Sequence, residues 1–247
     1  MENLNLKEVS EFVNENISYF HDKRLERLSA ISLNEVLKKK NPYLFRAKNI
    51  TLAGDLVKDI LDAFLSSSEE KLFGDFLEEL AIYISSKSCN GRKSVATGID
   101  LEFENDDVLY LVSVKSGPNW GNNAQQNRQE ADFQTAVRVA KQSRHTKNVQ
   151  PVLGICYGKT RTSHLRGYMK VVGQNFWYLI SGNENLYTDI VEPVGYRAKQ
   201  HNDKFKKQKS KIVNLFTKEF LENFCKEDGE IDWRRLVVFN SGNLDLR

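Results

Sequence analysis

The sequence predicts a mixed α/β fold (α+β mixed), in which a central mixed β-sheet is flanked by helices and helical extensions lie at both ends. Two observations lead to this prediction. Apolar residues recur at helical spacing near the start of the chain and again in its last quarter. Between these regions the order helix, strand, strand, helix, strand is typical of a mixed α/β core.

The amino-terminal part is predicted to be helical. Five apolar side chains in residues 5–20 share one helical face: Val9, Phe12, Val13, Ile17 and Phe20. A second helix is expected at about 22–39, and Pro42 breaks the pattern after it. Thr51 and Ser68 are predicted to cap two further helices, the second of which covers about 69–86.

The middle of the chain supplies the predicted sheet. Two strands are expected at about 98–105 and 108–116, followed by a long helix from about 123 to 144 and a buried strand in "VQPVLGICYG". We therefore expect a single domain over 1–247, with a helical amino-terminal part (1–66), a core (67–180) and a helical carboxy-terminal part (181–247).

Composition excludes few functions for this chain of 247 residues. Its net charge of +3 permits nucleic-acid binding without arguing for it. Three widely spaced cysteines do not suggest a disulfide framework, and they favour a reduced, cytoplasmic protein. The first residues show no signal-peptide pattern, and no apolar run reaches the roughly 18 residues that span a membrane.

The two predicted strands place polar side chains where apolar ones are expected. With a period of two, Asp100 and Glu102 share one face of the first strand, and Ser113 and Lys115 share one face of the second. A lysine beside an acid within a sheet is unfavourable unless the two are paired or used in chemistry. An ion pair on a solvated sheet face is the structural alternative.

The pattern "GID…SVK" resembles the signature of the PD-(D/E)XK nuclease superfamily. The resemblance implies a restriction-endonuclease-like core in which Asp100 is the first acid and Lys115 the catalytic lysine. Two residues depart from the pattern: Ile99 stands in place of a proline that is often missing, and Ser113 replaces the second acid. The lost acid is the serious departure, because Mg²⁺ needs carboxylate oxygens.

Two glutamates are candidates to replace the lost acid. Some restriction endonucleases with a Ser-x-Lys form take a carboxylate from the following helix, and this resemblance implies Glu130, which we prefer to Asp132. Glu78 resembles the acid of a G-x-x-x-E element, and we rank it above Glu79. Ordinary solvated glutamates are the alternative for both positions. The predicted catalytic set is therefore Asp100, Ser113, Lys115, Glu130 and Glu78, with Mg²⁺ held by Asp100, Glu130 and Glu78.

The predicted DNA-contacting residues lie in two segments, one after Lys115 and one after the strand in "VQPVLGICYG". The first segment is rich in amides, which pair with adenine, and it enters a helix; its candidates are Asn119, Trp120, Asn122, Asn123, Gln126 and Arg128. The second segment is basic, with Lys159, Arg161 and Arg166 as candidates. Polar or solvated loops are the alternatives. The basic stretch 199–211 is expected on a helix that contacts phosphate or solvent.

Longer segments over about residues 35–240 resemble bacterial type II restriction endonucleases of a PmeII-like group; they include "NPYLFRAKN", "SVKSGPNWGN" and "IDWRRLVVFNSG". This resemblance implies Mg²⁺-dependent cleavage of double-stranded DNA at a specific site. It also implies a homodimer and a partner DNA methyltransferase that protects the host genome. Two alternatives stay open: a DNA-binding module that lost its chemistry, suggested by Ser113, and a structure-selective repair or junction nuclease.

Overall fold

The computed structural model describes residues 3–143, 148–165 and 167–245. Along the chain the elements are α1 (Leu6–Ala30), α2 (Leu33–Lys39), α3 (Pro42–Ala47), α4 (Ala53–Ser88), β1 (Arg92–Lys93), β2 (Leu101–Asn105), β3 (Val108–Lys115), α5 (Asn123–Ser143), β4 (Val149–Ile155), β5 (Arg161–Leu165), β6 (Tyr168–Val172), α6 (Gln174–Ser181), α7 (Leu186–Asp189), α8 (Val191–Val194), α9 (Ala198–Phe224) and α10 (Trp233–Ser241).

The strands form one mixed sheet in the order β1-β2-β3-β4-β6-β5. Strands β1, β2 and β3 pair in antiparallel fashion, β3, β4 and β6 run parallel, and β5 closes the sheet antiparallel to β6. Along the chain, helices precede and follow the strands, and they make up both the amino-terminal and the carboxy-terminal part. The predicted fold class is therefore confirmed. The hairpin β2–β3 sets the register of the candidate site, because Leu101 pairs with Val112.

A tight turn makes this hairpin. Asp106 and Asp107 both have positive φ angles, of 50° and 59°. Positive φ at both central residues is the requirement of the two-residue turn that matches the twist of antiparallel strands. Aspartate tolerates this conformation better than most residues, so the sequence is locally suited to the turn.

Both faces of the hairpin are covered by protein. On one face, α5 lays Phe133, Ala136 and Ala140 against Leu111 and its apolar neighbours in β4. The residues of the opposite face are also buried; they include Leu101, Phe103, Val112 and Val114. The structural alternative of an ion pair on a solvated sheet face therefore does not describe this pair of strands.

Ile99 departs from its predicted face. A period of two through "GIDLEF" predicts that Ile99 shares the apolar face of Leu101 and Phe103. In the structure Ile99 packs instead in the cluster beneath α5 with Leu111 and Phe133. The reason is local: β2 begins only at Leu101, so strand alternation does not extend back to Ile99.

Three predicted helix boundaries were wrong. The helix predicted to start at Ser68 is the second half of α4, which runs without a break from Ala53 to Ser88. The neighbouring Ser67 hydroxyl donates to the Ala63 carbonyl 3.2 Å away, a bond that a serine inside a helix can make. Likewise, α1 continues through the break predicted near residue 21, and α4 starts two residues after the predicted cap Thr51.

The chain divides into two compact units by its internal contacts. Unit 1 takes in the described residues up to Ser18 and from Phe73 to Tyr196, and it contains the whole sheet with α5. Unit 2 comprises residues 19–72 and the described residues from 197 onward, and it is helical. Its core gathers buried side chains such as Leu28, Leu56, Leu61, Phe216 and Phe220. The prediction of one domain over 1–247 stays a prediction.

Within the described ranges, no helix combines the length and the apolar character needed to cross a membrane.

Unit 2 contains a stacked pair of histidines. The rings of His21 and His201 lie parallel with their centroids 4.4 Å apart. The buried Nδ1 atom of His21 has no hydrogen-bond partner in the described part of the chain. Burial, followed by the charges of His201 and Arg24, lowers the pKa of His21 to about 4.

This lowered pKa predicts a loss of stability in mild acid. Between the ordinary histidine pKa of about 6.5 and the folded pKa of about 4, the unfolded chain binds a proton that the folded chain does not. The free energy of unfolding should therefore fall as the pH is lowered through this range. In urea titrations His21→Phe should weaken this dependence, whereas His164→Phe, at an exposed position, should leave it unchanged. An unaltered pH dependence in His21→Phe would contradict the assignment.

Candidate active site

The strand pairing brings an acid and a lysine together at one end of the hairpin. Asp100 stands immediately before β2, and its backbone N–H donates to the Val112 carbonyl 2.9 Å away. Its side chain therefore lies beside Ser113, and the Lys115 Nζ is 3.6 Å from the Asp100 Oδ2. The Asp100 side chain is 20% exposed, and the Lys115 side chain is 27% exposed. Their roles in catalysis stay predictions.

Hydrogen bonds hold the Asp100 carboxylate in place. Its Oδ2 accepts from the Val114 backbone N–H at 2.6 Å and lies 3.2 Å from the Ser113 hydroxyl. The Lys115 ammonium donates to the Ser113 Oγ and to the Val114 carbonyl, both at 2.9 Å. Bonds between charged and neutral groups of this kind are short and strong, so the acid and the lysine are fixed relative to each other.

Glu102 is on the same predicted face as Asp100, but it forms a salt bridge with Arg92 of β1. Its side chain is 8% exposed, and its Oε1 accepts from the Arg92 Nε at 2.8 Å. Strand β1 thus supplies the positive charge that a buried carboxylate requires. We therefore interpret Glu102 as a structural residue.

Glu78 approaches the same site from helix α4. It is half-buried, whereas its neighbour Glu79 is exposed. The ranking of Glu78 above Glu79 as a metal ligand stays a prediction. Burial raises the pKa of Glu78, and the charge of Asp100 raises it further, against the opposing effects of Lys93 and Lys115. Glu78 is therefore within electrostatic reach of the acid and the lysine of the hairpin.

A close approach of α4 to the end of β3 makes this possible. A Cβ atom built on Gly74 would lie 3.6 Å from the Ser116 side chain, which is ordinary van der Waals contact. Gly74 is one helical turn before Glu78, so the glutamate is carried by the part of α4 that lies near the carboxyl end of β3.

The residue beside Ser113 on helix α5 is Gln129. Gln129 is 7% exposed, its Oε1 is 3.0 Å from the Ser113 Oγ, and its Nε2 donates to the Gly98 carbonyl at 2.9 Å. The second bond fixes the amide orientation, because a carbonyl oxygen can only accept a hydrogen bond. Ser113 has a single hydroxyl proton, which it donates to Gln129 or to Asp100 while it accepts from Lys115.

Glu130, the predicted ligand, is the next residue on the helix and is half-buried. Within the described ranges, no group of three His, Cys, Asp or Glu side chains is placed to hold a metal ion. Asp100, Glu78 and Glu130 thus do not form a ready-made site of three carboxylates. The prediction that Glu130 replaces the missing acid stays a prediction.

The donor set nevertheless fits a magnesium ion. Mg²⁺ is usually bound through one or two carboxylates, and it keeps several waters as its other ligands. Asp100 and Glu78 supply two carboxylates; burial is the main cause of the raised pKa of Glu78, and repulsion by the charge of Asp100 raises it further. A bound cation would relieve this repulsion, and the Val114 carbonyl is a further oxygen nearby.

The helical spacing contains a signal for Gln129 that the sequence interpretation missed. At about 100° per residue, Gln129 lies about 20° from Ala136 and from Ala140, in the centre of the buried stripe. Glu130 is turned a further 100° round the helix. Gln129 was not among the predicted site residues because an amide carries no charge to replace the lost acid of the motif.

The predicted DNA-contacting residues before and at the start of α5 divide into two groups. Asn122 caps the helix: its Oδ1 accepts from the Gln125 N–H at 3.1 Å, and the Gln125 Oε1 accepts from the Asn122 N–H at 3.0 Å. The Gln126 Nε2 donates to the Gly121 carbonyl, and Trp120 packs against the core beneath α5. Asn119, Asn123 and Arg128 are exposed.

The second predicted group follows β4. Lys159 and Arg161 are exposed, and Arg166 lies outside the described residues. Tyr157, which the sequence interpretation did not single out, is 61% exposed at the end of β4. Its ring covers Gly117, where an added Cβ would lie 2.4 Å from it. The exposed Tyr157 ring thus covers a residue that is two positions after Lys115 in the chain.

The bonds of Gln129 predict a measurable contribution to stability. Gln129→Leu would leave the Gly98 carbonyl without this partner in a buried setting, so the free energy of unfolding should fall by about 1–3 kcal/mol. Gln134→Leu, at an exposed position of the same helix, should change it by less than about 0.5 kcal/mol. Urea denaturation measures both. Equal effects of the two substitutions would contradict a structural role for the amide.

Comparison with known proteins gives the family. The model of the type II restriction endonuclease EcoO109I family matches residues 7–202. The matched range holds Glu78, Asp100, Ser113, Lys115 and Gln129, the residues that meet at the end of the hairpin. No match was found among curated proteins. Because the match covers well over half of the chain, the protein belongs to the type II restriction endonuclease EcoO109I family, and it is thereby a site-specific deoxyribonuclease.

Proposed function

We propose that this protein is a Mg²⁺-dependent type II restriction endonuclease, which hydrolyses phosphodiester bonds of double-stranded DNA at a short specific sequence. One observation supports this proposal above the others. In a chain of a restriction endonuclease family, Lys115 and Asp100 meet 3.6 Å apart in a covered site that Glu78 also approaches.

The side chains divide the work as follows. Asp100 and Glu78 would hold the ion. When bound, Mg²⁺ acidifies water and neutralises charge that develops on the phosphate. Lys115 is held by the Ser113 Oγ and the Val114 carbonyl, and it orients the attacking water and the scissile phosphate. Ser113 is neutral, so its contribution is to position the lysine and the aspartate.

The third protein ligand has two candidates. Glu130 carries the charge that the lost acid of the motif would have supplied. Gln129 is the residue that the fold places against Ser113, and its amide oxygen is a neutral ligand. Glu130 is the proposed ligand, and Gln129 positions Ser113.

The remaining parts of the proposal concern DNA and partners. Base and phosphate contacts are assigned to the exposed Asn119, Asn123, Arg128, Lys159 and Arg161. A homodimer would match a two-fold symmetric DNA site, and a DNA methyltransferase of the same system would protect the host genome. We also propose that the protein belongs to a PmeII-like subgroup and resides in the bacterial cytoplasm.

The serine in place of the acid favours one rival function, a DNA-binding module without catalysis. Digestion of phage DNA with Mg²⁺, followed by mapping of the ends, separates the candidates. Discrete fragments with one shared end sequence are expected for the proposed enzyme. Bound but intact DNA would favour the module, and fragments without a shared sequence would favour a structure-selective nuclease.

Substitution of the hairpin residues tests the active site. Asp100→Ala and Lys115→Ala should each lower the cleavage rate by at least about a hundredfold, because charge stabilisation at the phosphate is lost. Binding of a cognate duplex, measured by fluorescence anisotropy, should persist. Glu104→Ala, on an exposed position of β2, should cleave as the unaltered chain does. Full cleavage by Asp100→Ala would refute the proposed site.

A neighbouring pair of glutamates tests the metal ligand on α4. If Glu78 holds the ion, Mg²⁺ should raise the melting temperature of the unaltered chain and of Glu79→Gln, but much less that of Glu78→Gln. The readout is thermal unfolding without DNA, so it does not depend on turnover. A parallel comparison of Glu130→Gln with the unaltered chain decides whether Glu130 also binds. Equal Mg²⁺ stabilisation in Glu78→Gln and Glu79→Gln would exclude Glu78.

A further inference from the structure

Helix α9 of unit 2 has two chemically different faces. Five apolar side chains along it are buried: Phe205, Ile212, Phe216, Phe220 and Phe224. Between residues 198 and 218 the sequence also holds seven lysines and a single acid, Asp203. The family match ends at residue 202, so nearly all of these lysines lie outside the matched range.

Four of the lysines form one line along the helix. At about 100° per residue, Lys204, Lys207, Lys211 and Lys218 fall within about 60° of one another, on the side roughly opposite the buried stripe. All four are exposed. At 1.5 Å per residue, this lysine stripe is about 21 Å long.

Acids offset the lysine stripe only in part: Asp203 and Glu222 stand four residues from Lys207 and Lys218, respectively, and both are exposed. None of its four members forms an ion pair with a described residue, whereas Lys209, on another side of the helix, pairs with Asp62. Surface lysines of a globular protein are commonly interspersed with acids, and a run of one sign raises the local potential. The stripe is therefore a site of unbalanced positive charge.

We propose that the lysine stripe of α9 binds the phosphate backbone of duplex DNA without reading its sequence. The length of the stripe spans about six phosphates of one strand, at 3.4 Å per phosphate along the helix axis. Lysine suits this role because it acts as a point charge that does not require a particular phosphate orientation. The inference rests on DNA being the substrate, and it does not rest on the roles of Asp100, Glu78 or Lys115.

An anionic membrane surface is the competing partner for a basic helix, and the packing of α9 disfavours it. Helices that lie on membranes bury their apolar face in the lipid. In α9 that face is already buried in the core of unit 2, where Phe216 and Phe220 are 8% and 0% exposed. Leu215 and Leu221 are exposed on either side of the stripe, at 65% and 47%, but two separate leucines are a small apolar area compared with the buried face.

The test compares two variants of equal charge. One replaces the four stripe lysines by glutamine. The other replaces four exposed lysines elsewhere in unit 2 by glutamine: Lys38, Lys48, Lys58 and Lys71. Each changes the formal net charge from +3 by −4, to −1. Binding to a duplex of random sequence is followed by anisotropy in EDTA over a series of salt concentrations, with thermal unfolding as the control for folding.

The stripe variant should bind at least about tenfold more weakly at low salt. The slope of log affinity against log salt should become less steep by about 3 to 4 units, near one unit for each lysine lost. The control variant should change the slope by less than about one unit. Replacement of the four lysines by arginine should restore both affinity and slope, because the charge is kept.

Equal slopes in the two glutamine variants would overturn the proposal, because total charge alone would then account for binding. Loss of binding to phosphatidylserine vesicles with unchanged DNA binding would overturn it in favour of a membrane. If the fourfold variant does not fold, Lys207→Gln and Lys211→Gln singly should each lower the slope by about one unit, and no change in either would also refute it. Because EDTA prevents cleavage, failure of the stripe is distinguishable from failure of the catalytic site.

Discussion

The contact between Asp100, Ser113 and Lys115 is the constraint on which the candidate site depends. A lysine and an aspartate in a covered position are unfavourable unless each finds partners. Here the Val114 N–H, the Ser113 hydroxyl and the Val114 carbonyl supply those partners at 2.6–3.2 Å. The hairpin register makes this possible, because it places the start of β2 beside the end of β3. The same bonds that make the charges tolerable also fix their orientation.

The second constraint is the balance of charge around this contact. Asp100 and Glu78 repel each other, and Lys115 with Lys93 offsets part of that repulsion. The position against Ser113 on α5 carries a neutral amide, so the fold does not bring a third carboxylate there. The site thus presents two carboxylates and several neutral oxygens, a set compatible with a hydrated magnesium ion. Gln129 contributes structure, because its amide joins Ser113 to the Gly98 carbonyl.

The two units contribute different chemistry. Unit 1 holds the sheet and every residue of the candidate catalytic site. In unit 2, α9 buries aromatic side chains on one face and exposes lysines on the other. Specific cleavage of DNA needs both kinds of surface, because phosphate contacts position a duplex while groups at the reacting bond act on it. The apolar face of α9 packs in the core of unit 2. One helix therefore contributes to the stability of this unit and also exposes the lysines.

Local sequence patterns determined much of this protein. The period of two brought Asp100, Ser113 and Lys115 to one face, and the helical spacing of Phe133, Ala136 and Ala140 marked the buried side of α5. Tertiary structure decided the rest. Glu78 comes within electrostatic reach of Asp100 because α4 passes close to the end of β3 at Gly74. Helix α4 continues through Ser68 because buried residues before and after it hold one long helix. Gln129 instead of Glu130 meets Ser113 because neighbouring residues on a helix point about 100° apart, and packing against the sheet sets which of them faces inward.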